Sequence, residues 1–131
     1  MVAARILPVQ IHFEMRLQAA LEEYLRALRE RIPAIIELKG SLPVNFWTQE
    51  EKVLAKMLLP VGTGEFQATQ WARTIISVLA ARVNELLIME SQREISLDML
   101  RYELRIGPLS DARAERLALQ QANRAVYANQ I

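Results

Sequence analysis

Arginines 113, 116 and 124, with Gln120, Asn123 and Tyr127, fall on one face when the last stretch of this sequence is wound as a helix. A guanidinium is a planar fork of donors that matches carboxylate and phosphate oxygens two at a time, and a tyrosine ring stacks, so this face has the chemistry of anion or partner recognition. Arg82 is the other arginine whose position stands out. By projection it lies inside the apolar stripe of a long helical segment, where it would snorkel, pair internally or meet a partner. For the C-terminal face the alternative is an amphipathic face turned to water.

Catalytic and metal-binding residue types are scarce. There is no cysteine, which removes disulfides, thiolate nucleophiles and cysteine-ligated metals. His12 is the single histidine, with no second imidazole and no HExxH spacing, so it reads as an ordinary, partly exposed side chain. Val61-Gly62-Thr63-Gly64 has two glycines but no following GK[ST] and no preceding strand; it reads as a turn between helices. Glu22-Glu23 and Glu50-Glu51 are adjacent pairs on faces expected to be solvated, about 100° apart around a helix, a poor geometry for acid/base work. No catalytic, cofactor-binding or metal-binding residue is assigned, and no enzyme activity is expected.

The elements that must carry these residues are all helical. Glu65 to about Gln92 holds the longest pattern uninterrupted by Gly or Pro, with Trp71, Ala72, Ile75, Ile76, Val78, Leu79, Val83, Leu86, Leu87 and Met89 on roughly half the circumference. So broad a stripe predicts a central helix contacted by two or more neighbours. Upstream, Phe13 to Leu28 recurs at helical spacing after a start at Pro8, and Pro33 is expected to end or kink that helix, with Gly40 closing any further turn. Thr48 and Glu51 form a candidate capping box for the next helix, its buried side given by Val53, Leu54, Met57 and Leu58. Ser96 caps a short helix that Gly107-Pro108 stops, and Ser110 caps the final one. Ala114, Ala118, Leu119, Ala122, Ala125 and Val126 give that helix a small-residue side, suited to close packing, opposite its arginines. The expectation is an all-α fold: a bundle of five or six helices around the 65–92 helix, in a single domain spanning 1–131.

Composition agrees with an ordinary globular chain. The 131 residues can bury roughly two-thirds of their unfolded surface. Hydrophobic residues are 52% and charged residues 24%. Sixteen basic against 15 acidic residues leave a net charge of +1, so there is no global field for nucleic acid or an anionic membrane, and binding of that kind needs a local patch. No apolar run approaches the roughly 20 residues that span a bilayer, and a cytoplasmic location is the default.

The run Ser110-Asp111-Ala112-Arg113-Ala114-Glu115-Arg116-Leu117-Ala118, continuing to Asn123-Arg124-Ala125 and Asn129, resembles the closing helix of tailed-phage minor head proteins of the Mu-type head-morphogenesis family. That family carries a run of the form R-A-E-x-I-A-R-T-E. Arg113, Ala114, Glu115, Leu117 and Ala118 occupy matching positions, whereas Leu119, Gln120 and Gln121 replace the charged R-T-E triplet. The order upstream is also similar: an aromatic before an acidic helix start at Phe46 to Glu51, an ending at Leu59-Pro60, then a long helix. The resemblance covers about 45–131 and implies a virion or assembly component in the virion or host cytoplasm, docking on portal or capsid proteins and meeting packaged DNA. Because the chain is short for that family, it would correspond to the helical portion of a longer architecture. Two functions therefore stand side by side: a structural or interaction protein that docks on a partner or on itself, and a small nucleic-acid-binding or regulatory domain that uses the Arg-rich helix face.

Overall fold

A computed structural model describes the backbone of residues 2–62 and 64–130, and the side-chain surroundings of residues 12–62 and 64–122. Among the described residues there are five α-helices, a single 3-10 turn and no strand: α1 (Val2–Lys39), α2 (Phe46–Leu58), the 3-10 turn (Leu59–Val61), α3 (Glu65–Ser91), α4 (Leu97–Ile106) and α5 (Asp111–Gln130). The all-α bundle expected from the periodicity is present, and α3 keeps its expected bounds to within a residue. No helix among the described residues is long and apolar enough to cross a membrane.

The first helix differs from expectation at both prolines. It includes Pro8 and runs unbroken through Pro33 to Lys39. An internal proline removes a backbone hydrogen bond and costs a helix about 3 kcal/mol. Here Ile32, Pro33 and Ile36 are all buried, so packing on one face carries the helix through. Gly40 then closes it in the left-handed region at φ 82°, its N–H donating to the Ile36 carbonyl across 2.8 Å.

The 38-residue α1 reaches α2, the 3-10 turn, α4 and α5, while α3 packs chiefly on α2 and α4. The most extensive pairing is between α1 and α5. It follows from the alanine stripe, because Ala114, Ala118 and Ala122 are fully buried and let two helix axes approach closely. Leu119, expected on that side, is exposed, and Leu117 takes its place in the core; Ala125 and Val126 lie outside the described side chains.

The second helix starts earlier than its capping box suggests. Phe46 is buried and opens α2, with Asn45 ahead of it, and no side chain caps the end. The i, i+4 row that faces the core is then Phe46, Glu50, Leu54 and Leu58, while Val53 is exposed. Glu50 is therefore buried, contrary to the solvated face expected for it. Its carboxylate accepts a hydrogen bond from the Tyr24 hydroxyl at 2.9 Å and pairs with the half-exposed Arg31 guanidinium. The Trp47 indole N–H donates to Asn84 of α3 across 3.1 Å, and its ring meets Phe46 edge to face.

Candidate functional site: an arginine-lined cleft between α3 and α5

The corner between α4 and α5 sets the site. Gly107 ends α4, and a Cβ on it would sit 2.8 Å from the Glu103 carbonyl oxygen, so glycine is what lets the chain turn this tightly. Leu109 N–H returns to the Leu104 carbonyl at 3.0 Å, and Ser110 N–H to that of Gly107 at 3.2 Å. Ser110 then caps α5 as expected, its hydroxyl accepting from Arg113 N–H at 3.1 Å. The turn fixes the first two turns of α5, and with them Arg113 and Arg116.

Those two arginines and Arg82 of α3 line one cleft of about 360 Å³, with Val78, Leu79, Ile106, Gly107 and Pro108 as its other walls. Three of the residues singled out in the sequence thus converge, although they come from two helices. Arg82 is not buried in a stripe: its side chain is 56% exposed and pairs with Glu85 one turn on at 2.6 Å. Arg113 is half-buried against the wall and Arg116 is exposed. Gln120 is exposed one turn further along α5 and does not line the cleft; Asn123, Arg124 and Tyr127 lie outside the described side chains.

Charge separates this cleft from a second one. Among the described residues, Arg26, Arg29, Arg31, Arg82 and Arg101 each pair with a carboxylate, whereas Arg113 and Arg116, like Arg16, Arg73, Arg93 and Arg105, have none. Arg113 also sits in the first turn of α5, near the positive end of its macrodipole, where a cation is disfavoured. The second cleft, about 580 Å³ between α1 and α4, is lined by Arg26, Arg29, Arg101 and Arg105 with Glu30 and Glu37. Its guanidiniums are mostly engaged: Arg26 and Arg29 on Asp111, Arg101 on Glu37 and Asp98, and Arg105 over the Tyr102 ring at 5.8 Å. Sequence reading missed this second cluster. A signal was present in the bias of 13 arginines to three lysines, since arginine is favoured wherever charges interlock between elements.

Chemically, the α3–α5 cleft offers donors and positive charge above an aliphatic floor. Guanidiniums do not give up protons near neutral pH, so these side chains can bind and orient an anion but cannot shuttle a proton. No cluster of three or more His, Cys, Asp or Glu able to hold a metal ion occurs among the described residues. Tyr24 is held in its neutral form: burial, and then the neighbouring Glu50 carboxylate, push its phenol well above the ordinary range, so it serves as a fixed donor. Comparison with family models, with curated proteins and with solved structures yields no match to this chain.

Proposed function

We propose that this chain is a non-enzymatic structural or interaction protein that docks on a protein partner through the α3–α5 cleft. The observation that carries this reading is the convergence of Arg82, Arg113 and Arg116 on one aliphatic floor, with Arg113 and Arg116 lacking any carboxylate of their own. Arg113, an unpaired cation in the first turn of α5, lowers local stability there. Together with the resemblance of the 110–118 run to Mu-type minor head proteins, the biological setting proposed is a tailed-phage virion or its assembly, with portal or capsid proteins as partners.

The test is co-expression with the products of neighbouring genes. A partner should co-purify with the wild-type chain and be lost from the Arg113→Glu/Arg116→Glu variant; retention by the variant removes the cleft from the interface. Neighbouring genes that encode no portal or capsid protein remove the phage setting. The other reading, nucleic-acid binding through the same arginines, is favoured by the guanidiniums alone. It demands an affinity that falls steeply with salt, by roughly one logarithmic unit per phosphate neutralised for each tenfold rise in salt.

A further inference from the structure

We infer that the α3–α5 cleft takes an acidic helical segment of a protein, with two carboxylates one turn apart on Arg113 and Arg116 and an apolar side chain beside them on Val78 and Ile106. This rests on the docking reading above and names the chemistry of the partner.

Spacing is the first argument. Arg113 and Arg116 are three residues apart on one helix, so their Cβ atoms stand about 5–6 Å apart, the separation that carboxylates at i and i+3 or i+4 have on a partner helix. Their register is fixed by the Ser110 cap, and Arg113 rests half-buried on the wall, which reduces the rotamer freedom lost on binding. Arg82 faces them from α3. Its pairing with Glu85 joins two exposed side chains, 56% and 63%, and such pairs are weak, so Arg82 is free to exchange onto an incoming carboxylate.

The floor is the second argument, and it selects peptide over nucleic acid. Val78 and Ile106 are 40% and 53% exposed, whereas Pro108 and Leu79 are already buried. The exposed surfaces of Val78 and Ile106 cannot hydrogen-bond, and they gain only by covering with another apolar group. Among the described residues no aromatic ring lines the cleft to stack a base, and the chain as a whole carries only +1. A helix that carries acidic side chains beside an apolar one fits these features.

A fluorescently labelled synthetic helix carrying Glu at i and i+4 with Leu at i+3, on the flank of that face, is the probe, read by anisotropy at about 150 mM salt. Binding should weaken at least about tenfold when both Glu become Gln, when the Leu becomes Ser, or when the protein carries Arg113→Gln and Arg116→Gln. Both positions are at least partly exposed, and circular dichroism checks that the variant stays folded. A single-stranded oligonucleotide of equal charge should bind at least about tenfold more weakly than the peptide. Oligonucleotide binding as tight as the peptide's, or indifference to the Leu→Ser change, makes the cleft a plain anion site and overturns the inference, as does no peptide binding at about 1 mM. Loss of a co-purifying partner in Arg113→Glu/Arg116→Glu without peptide binding sinks the acidic-helix inference and leaves docking standing; an unchanged partner sinks both.

Discussion

The Tyr24 hydroxyl and the Glu50 carboxylate meet across 2.9 Å in the bundle interior, joining α1 to α2 where both side chains are almost fully buried. Removing one partner leaves the other without its bond. Tyr24→Phe leaves Glu50 to Arg31 alone and should cost about 1–2 kcal/mol, while Glu50→Ala strands the hydroxyl and opens a void, costing about 2–4 kcal/mol. The pair also predicts an alkaline limit. Because the folded state holds the Tyr24 proton more tightly than the unfolded chain, its contribution is complete below the ordinary tyrosine value of 10.0 and declines as pH rises past it. Urea titrations between about pH 9 and 11 should show a shallower decline in Tyr24→Phe than in wild type; identical slopes would mean that Tyr24 is not the group responsible.

Asp111 predicts the acid side. Its carboxyl is held below the ordinary carboxylate range first by the Arg26 hydrogen bond at 3.1 Å, and Arg29 adds to this from 3.4 Å. A depressed pKa gives a contribution that is complete above the unfolded value, near pH 3.8, and is lost as pH falls through the lower folded value. Asp111→Asn should therefore be less stable than wild type at pH 7, and the gap should narrow below that value and in about 1 M salt, where exposed charges are screened. A gap of equal size at neutral and acid pH would point instead to the aspartate's place in the first turn of α5.

Local punctuation was legible in the sequence wherever the deciding contacts are local. Gly40, Ser96 and Ser110 each act as the cap their types and spacing suggest, because a cap is made within four residues. Pro33 and Glu50 misled for the complementary reason. Whether a helix survives a proline, or a glutamate is drawn inward, depends on Ile36 and Tyr24 reaching the core from elsewhere. The buried Ala114, Ala118 and Ala122 of α5 followed from periodicity, but the exposure of Leu119 and the meeting of Arg82 with Arg113 and Arg116 did not, since no one-dimensional spacing relates residue 82 to residue 113.

Two glycines beside helix ends should respond in opposite directions. Gly107→Ala places a methyl 2.8 Å from the Glu103 carbonyl oxygen, which is itself held by the Gly107 N–H, so the corner must open at a cost of about 1–3 kcal/mol. At Gly64 the backbone is extended, φ −69° and ψ 163°, nothing crowds a Cβ, and no side chain caps α3. Gly64→Ser supplies the missing acceptor and should stabilise by a few tenths of a kcal/mol. Chemical denaturation of the two variants tests both signs, and a neutral Gly107→Ala would show that the corner is not tightly constrained.

Arg93 follows the end of α3 in the left-handed region, φ 62°, a conformation that costs an L-residue about 1–2 kcal/mol. The hydrogen bonds explain why it is there: Glu94 N–H reaches back to the Met89 carbonyl at 2.8 Å and Arg93 N–H to that of Glu90 at 3.0 Å, the paired bonds that close a helix through one left-handed residue. Glycine is the residue this position favours. Its greater freedom in the unfolded chain returns part of the gain, so Arg93→Gly should stabilise by about 0.5–1 kcal/mol and raise the melting temperature by about 2–4 °C. Arg93→Val should do the reverse, because a β-branched side chain tolerates positive φ least. Thermal melts of the pair separate the backbone effect from loss of the charge, which both variants share; equal shifts in the two would assign the change to the guanidinium and not to φ.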